Sequence, residues 1–356
     1  MTPRHFRSTV TDPAERGREF GGHHAALLKR GVERYSALFA RAARRPYDLH
    51  QLGTQALAQI AAFAPPLHAE ILGMAAGAGL DAALIGAINA RTEILAYVGA
   101  QLRGECSTVV KVDAFGSAPV CVQTWDWYAE FADQWLVWEI PQADGGLTTT
   151  VTEIGIVGKA GVNRRGLGVH FNILHHAADG QTIGVPVHVL ARWMLDTQDD
   201  LAQALQLLQS AAVSASTSLT VIGVVERASA AVSVELHPGG PGWVFPAADG
   251  LLVHTNHFLS SPGRDGDTEP RNYPDTLLRH DLLVRRLSQR PQLTAAQMLD
   301  ALDSHLGSTG ALCCHPDPHA PVTGQYATLA SIVIDVAAGT LQALPGGPCE
   351  VRALLA

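Results

Sequence analysis

The chain has 356 residues, 47% hydrophobic and 16% charged, which is enough apolar material for one large domain or two ordinary ones and excludes global disorder. Lysine plus arginine number 25 against 33 for aspartate plus glutamate, a net charge of −8 that argues against a nucleic-acid binder. The five cysteines (Cys106, Cys121, Cys313, Cys314 and Cys349) are odd in number and irregular in spacing, so they form no disulfide framework and fit a reducing cytoplasm.

The opening, MTPRHFRSTVTDPAERG, has no apolar stretch after its basic residues, and no secretory leader is expected there. Asp12-Pro13-Ala14-Glu15 places an N-cap before proline at the first helical position, and apolar residues at helical spacing carry this helix to about Ala43. Further helices are expected over residues 52–63 and 66–78, then from a cap at Asp81 to about Tyr97. The apolar stretch 82–100 is interrupted by Asn89, Arg91 and Glu93, so it reads as a buried or amphipathic helix and no membrane span is expected.

At Cys106 the texture changes. Residues 107–112 and 120–125 are short, β-branched runs around a Gly-Ser-Ala-Pro turn, the pattern of a hairpin. Strands are expected at 135–140, 148–155 and 166–172, then helices at 187–195 and 199–210. Strands resume at 219–225, 231–236 and 251–254. A polar surface loop at 260–271 precedes helices at 273–287 and 294–306, and strands at 328–335 and 341–343 close the chain. Strands joined by short turns argue for antiparallel sheets, and helices arriving in pairs argue against a doubly wound parallel sheet. No long polar linker divides the chain. The expectation is therefore a single α+β domain over residues 1–356, two sheets with helical layers outside.

Cys106 stands in Gly104-Glu105-Cys106-Ser107-Thr108, where the helical part meets the first strand. A cysteine at a strand start is by itself more often a small buried hydrophobe than a nucleophile. Its companions point the other way. Trp125-Asp126-Trp127, Gly158-Lys159-Ala160-Gly161-Val162-Asn163, Gly166 to Asn172, Gly184-Val185-Pro186 and His254-Thr255-Asn256-His257 are polar or glycine-rich insertions at strand ends. A bland β-sandwich needs none of them.

A cysteine followed by small hydroxyl residues, then Trp125-Asp126, then Asn256 inside His-Thr-Asn-His resembles the acyl-coenzyme A:6-aminopenicillanic acid acyltransferase family, peptidase family C45, of N-terminal-nucleophile (Ntn) hydrolases. The matching positions run from Ala90-Arg91-Thr92-Glu93 to Ala327-Thr328-Leu329, most of the chain. The resemblance implies a four-layer αββα sandwich and a precursor that cuts itself between Glu105 and Cys106. A helical fragment 1–105 and a nucleophile-bearing fragment 106–356 would remain associated, with a homo-oligomer left open.

The chemistry follows from one residue. In the precursor the Cys106 thiol attacks the preceding carbonyl by an N-to-S acyl shift, and hydrolysis of the thioester frees an α-amino group. A thiol near pKa ~8.5 and an α-amine near ~7.7–8.0 are matched for proton transfer at neutral pH, so one residue supplies nucleophile and base. By the resemblance, Asp126 orients that amine and Asn256 donates to the oxyanion, where losing one donor typically costs ~10²–10³ in rate. Their bland alternatives are a turn aspartate and a turn asparagine. Asn172 is a second oxyanion candidate. Thr108 either positions the scissile peptide or is an ordinary strand threonine, and Trp125 and Trp127 either wall an acyl pocket or simply pack.

Two positions depart from the family pattern: glycine before the nucleophile is Glu105 here, and an arginine near the C-terminal strands is replaced by Cys314 in Leu312-Cys313-Cys314-His315-Pro316. His315 is the candidate substitute for the lost charge. The histidine pairs have neither zincin nor zinc-finger spacing, so no metal site is expected. The reading is a cytoplasmic, self-processing enzyme that needs no cofactor. It takes a small-molecule acyl donor (amide or thioester, with acyl-coenzyme A a candidate cosubstrate) and passes the acyl group to an amine or to water. The alternatives are a dedicated hydrolase of short N-acyl amines and a silent binder of the same fold.

Overall fold

The structure, a computed structural model, describes residues 3–100, 106–113, 116, 118–225, 228–307 and 310–354. Glu105 and the turn residue Ser117 lie outside the described residues. The strands are β1 (Arg4–Arg7), β2 (Ser107–Lys111), β3 (Val120–Tyr128), β4 (Trp135–Pro141), β5 (Leu147–Glu153), β6 (Ala160–Asn163), β7 (Leu167–Ile173), β8 (Thr217–Val225), β9 (Ala228–His237), β10 (Gly240–Val244), β11 (Leu251–His254), β12 (Tyr326–Asp335) and β13 (Thr340–Pro345). They form one sheet ordered β1-β4-β5-β6-β7-β8-β9-β10 and a second ordered β11-β2-β3-β12-β13. Among the described residues neighbours run antiparallel, except that β1 lies parallel to β4.

Side chains alternate across each sheet, and this period sets the layers. Val109 of β2, with Val122, Leu251 and Val253, packs outward on Leu283, Leu287, Met298 and Leu302 from helices Asp275–Leu287 and Ala295–Leu302. Val169 and Phe171 of β7 pack outward on Leu190, Met194 and Leu208 from helices Val187–Thr197 and Leu201–Ser210. The intervening residues face the other sheet, so Thr108 of β2 meets Asn172 of β7 across the sandwich. The order of layers is helix, sheet, sheet, helix.

The N-terminal helices extend this core. Asp12 caps helix Pro13–Ala42 by accepting from the Glu15 amide at 2.9 Å, as its position before Pro13 predicts. That helix meets helix Pro65–Ala78 backbone to backbone: a Cβ on Gly17 would lie 2.0 Å from the Glu70 carbonyl oxygen. Between them Glu70 accepts from Arg16 Nε at 2.7 Å and from Arg192 Nη1 at 3.1 Å, tying the N-terminal helices to helix Val187–Thr197. Among the described residues no helix is long and apolar enough to cross a membrane.

The single helix expected after Asp81 is two, Ala82–Asn89 and Arg91–Tyr97, broken at Ala90 (φ −102°, ψ 29°). The reason is Asn89, whose buried amide donates to the Gly155 carbonyl at 2.8 Å and accepts from the Val157 amide at 2.9 Å. The sequence reading also missed β1, β6 and β10. β6 came out of a glycine-rich stretch taken for an insertion, and β10 opens with Gly240-Pro241-Gly242, where local propensity points to a turn. The loop at 260–271 contains two short helical turns, Ser261–Arg264 and Glu269–Asn272. The last long helix stops at Leu302, earlier than expected, with Thr294 as its cap.

Candidate active site

The β2–β3 hairpin brings the first two residues together. Its register pairs Ser107 with Thr124, so Cys106, one residue before β2, lies beside the Trp125–Asp126 step. Cys106 is buried, and its Sγ donates to the Asp126 carbonyl oxygen at 3.9 Å. The Asp126 side chain is buried too.

The carbonyl of Cys106 is held from two directions. Asn172 Nδ2 donates to it at 3.0 Å from β7, in the facing sheet. Thr108 Oγ1 donates to Asn172 Oδ1 at 2.6 Å and accepts from Gln123 Nε2 at 3.0 Å, which fixes the Asn172 amide in orientation. The second donor is Arg279, on helix Asp275–Leu287. Its Nη1 reaches the Cys106 carbonyl oxygen at 3.3 Å and Ser107 Oγ at 3.1 Å, and its Nη2 donates to Asn256 Oδ1 at 3.0 Å. Asn256 follows β11, which pairs with β2, and donates through Nδ2 to the Ile173 carbonyl at 2.9 Å. Cys106, Asp126, Thr108, Asn172 and Asn256 thus meet at one end of the two central strands.

His315 does not join this group. It is exposed, and its Nε2 lies beside His305, Cys313 and Cys349. The correction has a simple physical cause: Cys314 is buried and bonded to Thr328 of β12, and its neighbours Cys313 and His315 turn together to another side, toward Cys349.

Arg279 is the residue the sequence reading missed, and a signal for it existed. Arg279, Leu283 and Leu287 recur every four residues and are all buried, so an arginine occupies a core-facing position of an amphipathic helix. Lys159 was passed over as part of a glycine-rich stretch. It is buried, with Nζ 3.1 Å from Glu153 Oε2 and 4.1 Å from the centre of the Trp125 ring. Arg91 pairs with the same oxygen at 3.0 Å and lies 4.3 Å over the Trp127 ring.

Electrostatics follow from this burial. Burial, then the Asp126 charge, pushes the Cys106 thiol up to about 11, with Lys159 and Arg279 opposing. Burial lowers Lys159 to about 8 despite Glu153. Burial alone would raise Glu153, but Arg91 and Lys159 overcome it and hold the carboxyl at about 2. The thiol is therefore protonated at neutral pH and needs a base, and two cations stand ready to stabilise the thiolate once formed. Beside the site is a cavity lined by Leu95, Trp127, Ile173 and Leu174 with Arg91 and His175. Trp127 follows Asp126 and Ile173 is the Asn256 acceptor, so the cavity adjoins this cluster.

Two facing, mainly antiparallel sheets between helical layers, with a cysteine heading a central strand, define an αββα sandwich of the Ntn-hydrolase type. A family model described as acyl-coenzyme A:6-aminopenicillanic acid acyl-transferase matches residues 115–348, and the chain belongs to that family. It is 27% identical over 275 residues to the 40 kDa form of acyl-coenzyme A:6-aminopenicillanic-acid-acyltransferase of Emericella nidulans, covering 76% of this chain and 74% of that protein. Among solved structures, an N-acylethanolamine-hydrolyzing acid amidase ortholog of Caenorhabditis elegans aligns with a TM-score of 0.46 at 13% identity, over 67% of this chain and 100% of that one. Penicillin V acylase from Agrobacterium tumefaciens aligns with a TM-score of 0.44 at 12% identity, over 67% of this chain and 83% of that one.

Proposed function

We propose that this member of an acyltransferase family is a self-processing cysteine enzyme in which Cys106 becomes the N-terminal nucleophile. The observation that supports this most is the placement of Cys106: buried at the head of a central strand, beside Asp126, with its own carbonyl held by Asn172 and Arg279.

In the precursor, Sγ attacks the carbonyl carbon of Glu105, the C–N bond to Cys106 breaks, and the amide nitrogen takes a proton to become the α-amine. Water then hydrolyses the thioester. The fragments 1–105 and 106–356 stay together as one domain through buried contacts that cross the cut. These are Glu70 with Arg192, Glu93 with the Val187 amide, Arg91 with Glu153, and Asn89 with the Gly155–Val157 loop.

In turnover the α-amine takes the thiol proton, and Asp126 stabilises the resulting ammonium. The thiolate attacks an amide or thioester, acyl-coenzyme A being one candidate donor. The negative oxygen that develops is met by Asn256, whose amide nitrogen carries a second proton beyond the one given to Ile173. The leaving amine or thiol collects the proton, and an amine or water then resolves acyl-Cys106. No step uses a cofactor. No disulfide joins the five cysteines, which fits a reducing compartment.

Intact-mass spectrometry tests this directly. Wild type should give fragments 1–105 and 106–356, Cys106→Ala a single uncut chain, and a brief pulse of acyl donor an acyl adduct on fragment 106–356. A cut Cys106→Ala chain, or turnover that survives loss of this thiol, overturns the reading.

A further inference from the structure

We infer a structural zinc site, independent of the reading above, formed by His305, Cys313, His315 and Cys349. The four ligand atoms lie within 4.8 Å of one another. Cys313 Sγ is 3.4 Å from Cys349 Sγ, and His315 Nε2 is 3.6 Å and 3.3 Å from those two sulfurs. His305 Nε2 is 3.1 Å from His315 Nε2.

These separations match the edges of a coordination tetrahedron. With Zn–S near 2.3 Å and Zn–N near 2.05 Å, the S–S, S–N and N–N edges come to about 3.8, 3.6 and 3.4 Å. The Cys313–His315 edge agrees with its ideal value, and the other three fall about 0.3–0.4 Å short. A disulfide between Cys313 and Cys349 would use the two sulfurs and give the two imidazole nitrogens no reason to converge on them. One ion accounts for all four atoms. Two thiolates and two imidazoles in tetrahedral array select zinc, and four protein ligands close the shell, so the site is structural.

The surroundings are built for it. The ligands come from three segments: the turn after helix Ala295–Leu302, the stretch before β12, and the helical turn Pro348–Val351 after β13. The Cys313 amide donates to the Ser304 carbonyl at 3.1 Å, joining the first two. Gly347 lets the third segment pass the Cys313 sulfur: a Cβ there would lie 2.6 Å from Sγ. Between the ligands Cys313 and His315, Cys314 is pinned to β12. Its amide donates to Thr328 Oγ1 at 3.0 Å, its carbonyl accepts from the Thr328 amide at 3.0 Å, and Thr328 pairs with Asp126. The ion would clamp the C-terminal segments onto the strand next to the site. The sequence reading expected no metal because it weighed only the histidines that are close in sequence, His23-His24, His175-His176 and His254 with His257, whereas these four ligands come from separate segments.

The test uses the full chain, free of any histidine tag and purified without chelator, with metal measured by plasma mass spectrometry. One zinc per chain is expected, falling to background in Cys313→Ser/Cys349→Ser. The exposed His305→Ala, which leaves the fold least disturbed, should lose zinc to a chelator at least about tenfold faster. Cobalt(II) added to stripped wild type should give the visible and near-ultraviolet absorption of a tetrahedral thiolate complex. Zinc no higher in wild type than in the double variant, or a Cys313–Cys349 disulfide seen as a loss of 2 Da with no metal, would overturn the assignment.

Discussion

The guanidinium of Arg279 bridges the carbonyl of Cys106 and the side chain of Asn256, residues 150 positions apart in the chain, at 3.3 and 3.0 Å. The two residues flank different strands, β2 and β11, and a helix on the outer face of the sheet ties them together. Replacing Arg279 by lysine keeps the charge but loses the two-pronged geometry. Processing of the precursor should slow by about 10²-fold, the penalty typical of a misplaced reacting group. The check is the time course of fragment appearance after refolding. An unchanged rate would remove Arg279 from the site.

Asp126 should have two opposed effects. Its charge helps hold the Cys106 thiol at about 11, second only to burial, so Asp126→Asn should lower the thiol pKa. Alkylation of Cys106 by iodoacetamide should then have its midpoint at lower pH. Turnover should fall, because the α-ammonium loses its counter-charge. A variant that reacts faster with the alkylating agent and slower with substrate separates the two roles of this carboxylate.

Glu93 gives a pH prediction. Burial pushes its carboxyl from 4.5 up to about 7, while Oε1 accepts from the Val187 amide at 2.8 Å. Between those pH values the folded protein keeps a proton that the unfolded chain has lost. Stability from this group is therefore full below pH 4.5 and is lost as pH rises through 7, by about 3 kcal/mol in all. Glu93→Gln keeps the acceptor and removes the titration. Urea unfolding of the two proteins should diverge in favour of the variant from pH 4.5 to 7 and run parallel above it. A constant difference across that range would refute the assignment.

The Cys314 position bears on substrate choice. A buried neutral thiol cannot make the bidentate contact of an arginine with a carboxylate, and His315, the candidate substitute, is turned toward Cys313 and Cys349. The enzyme should prefer simple acylated amines to 6-aminopenicillanic acid. Matched assays with carboxylated and uncarboxylated amine partners decide it, and equal turnover of both would show that this position does not set specificity.

The sequence by itself determined what local rules and motif order can carry. Asp12 before Pro13 fixed the start of the first long helix, because capping is settled within one turn. Short β-branched runs around a turn fixed the β2–β3 hairpin, because cross-strand pairing of neighbours is local. With the motif order, they marked Cys106, Asp126 and Asn256. The tertiary structure alone decided which distant groups surround them. Arg279 lies 173 residues from Cys106, and Lys159 reads as part of a turn until burial pairs it with Glu153. The strands β1 and β10 carry weak local signals and exist because a sheet edge was there to pair with. His315 shows the converse: adjacency in sequence to a family position placed it in the site on paper, while its side chain lies in the cluster with His305, Cys313 and Cys349. Local chemistry selects conformations over a few residues, but convergence of side chains from separate segments is a property of packing, and no spacing rule along the chain encodes it.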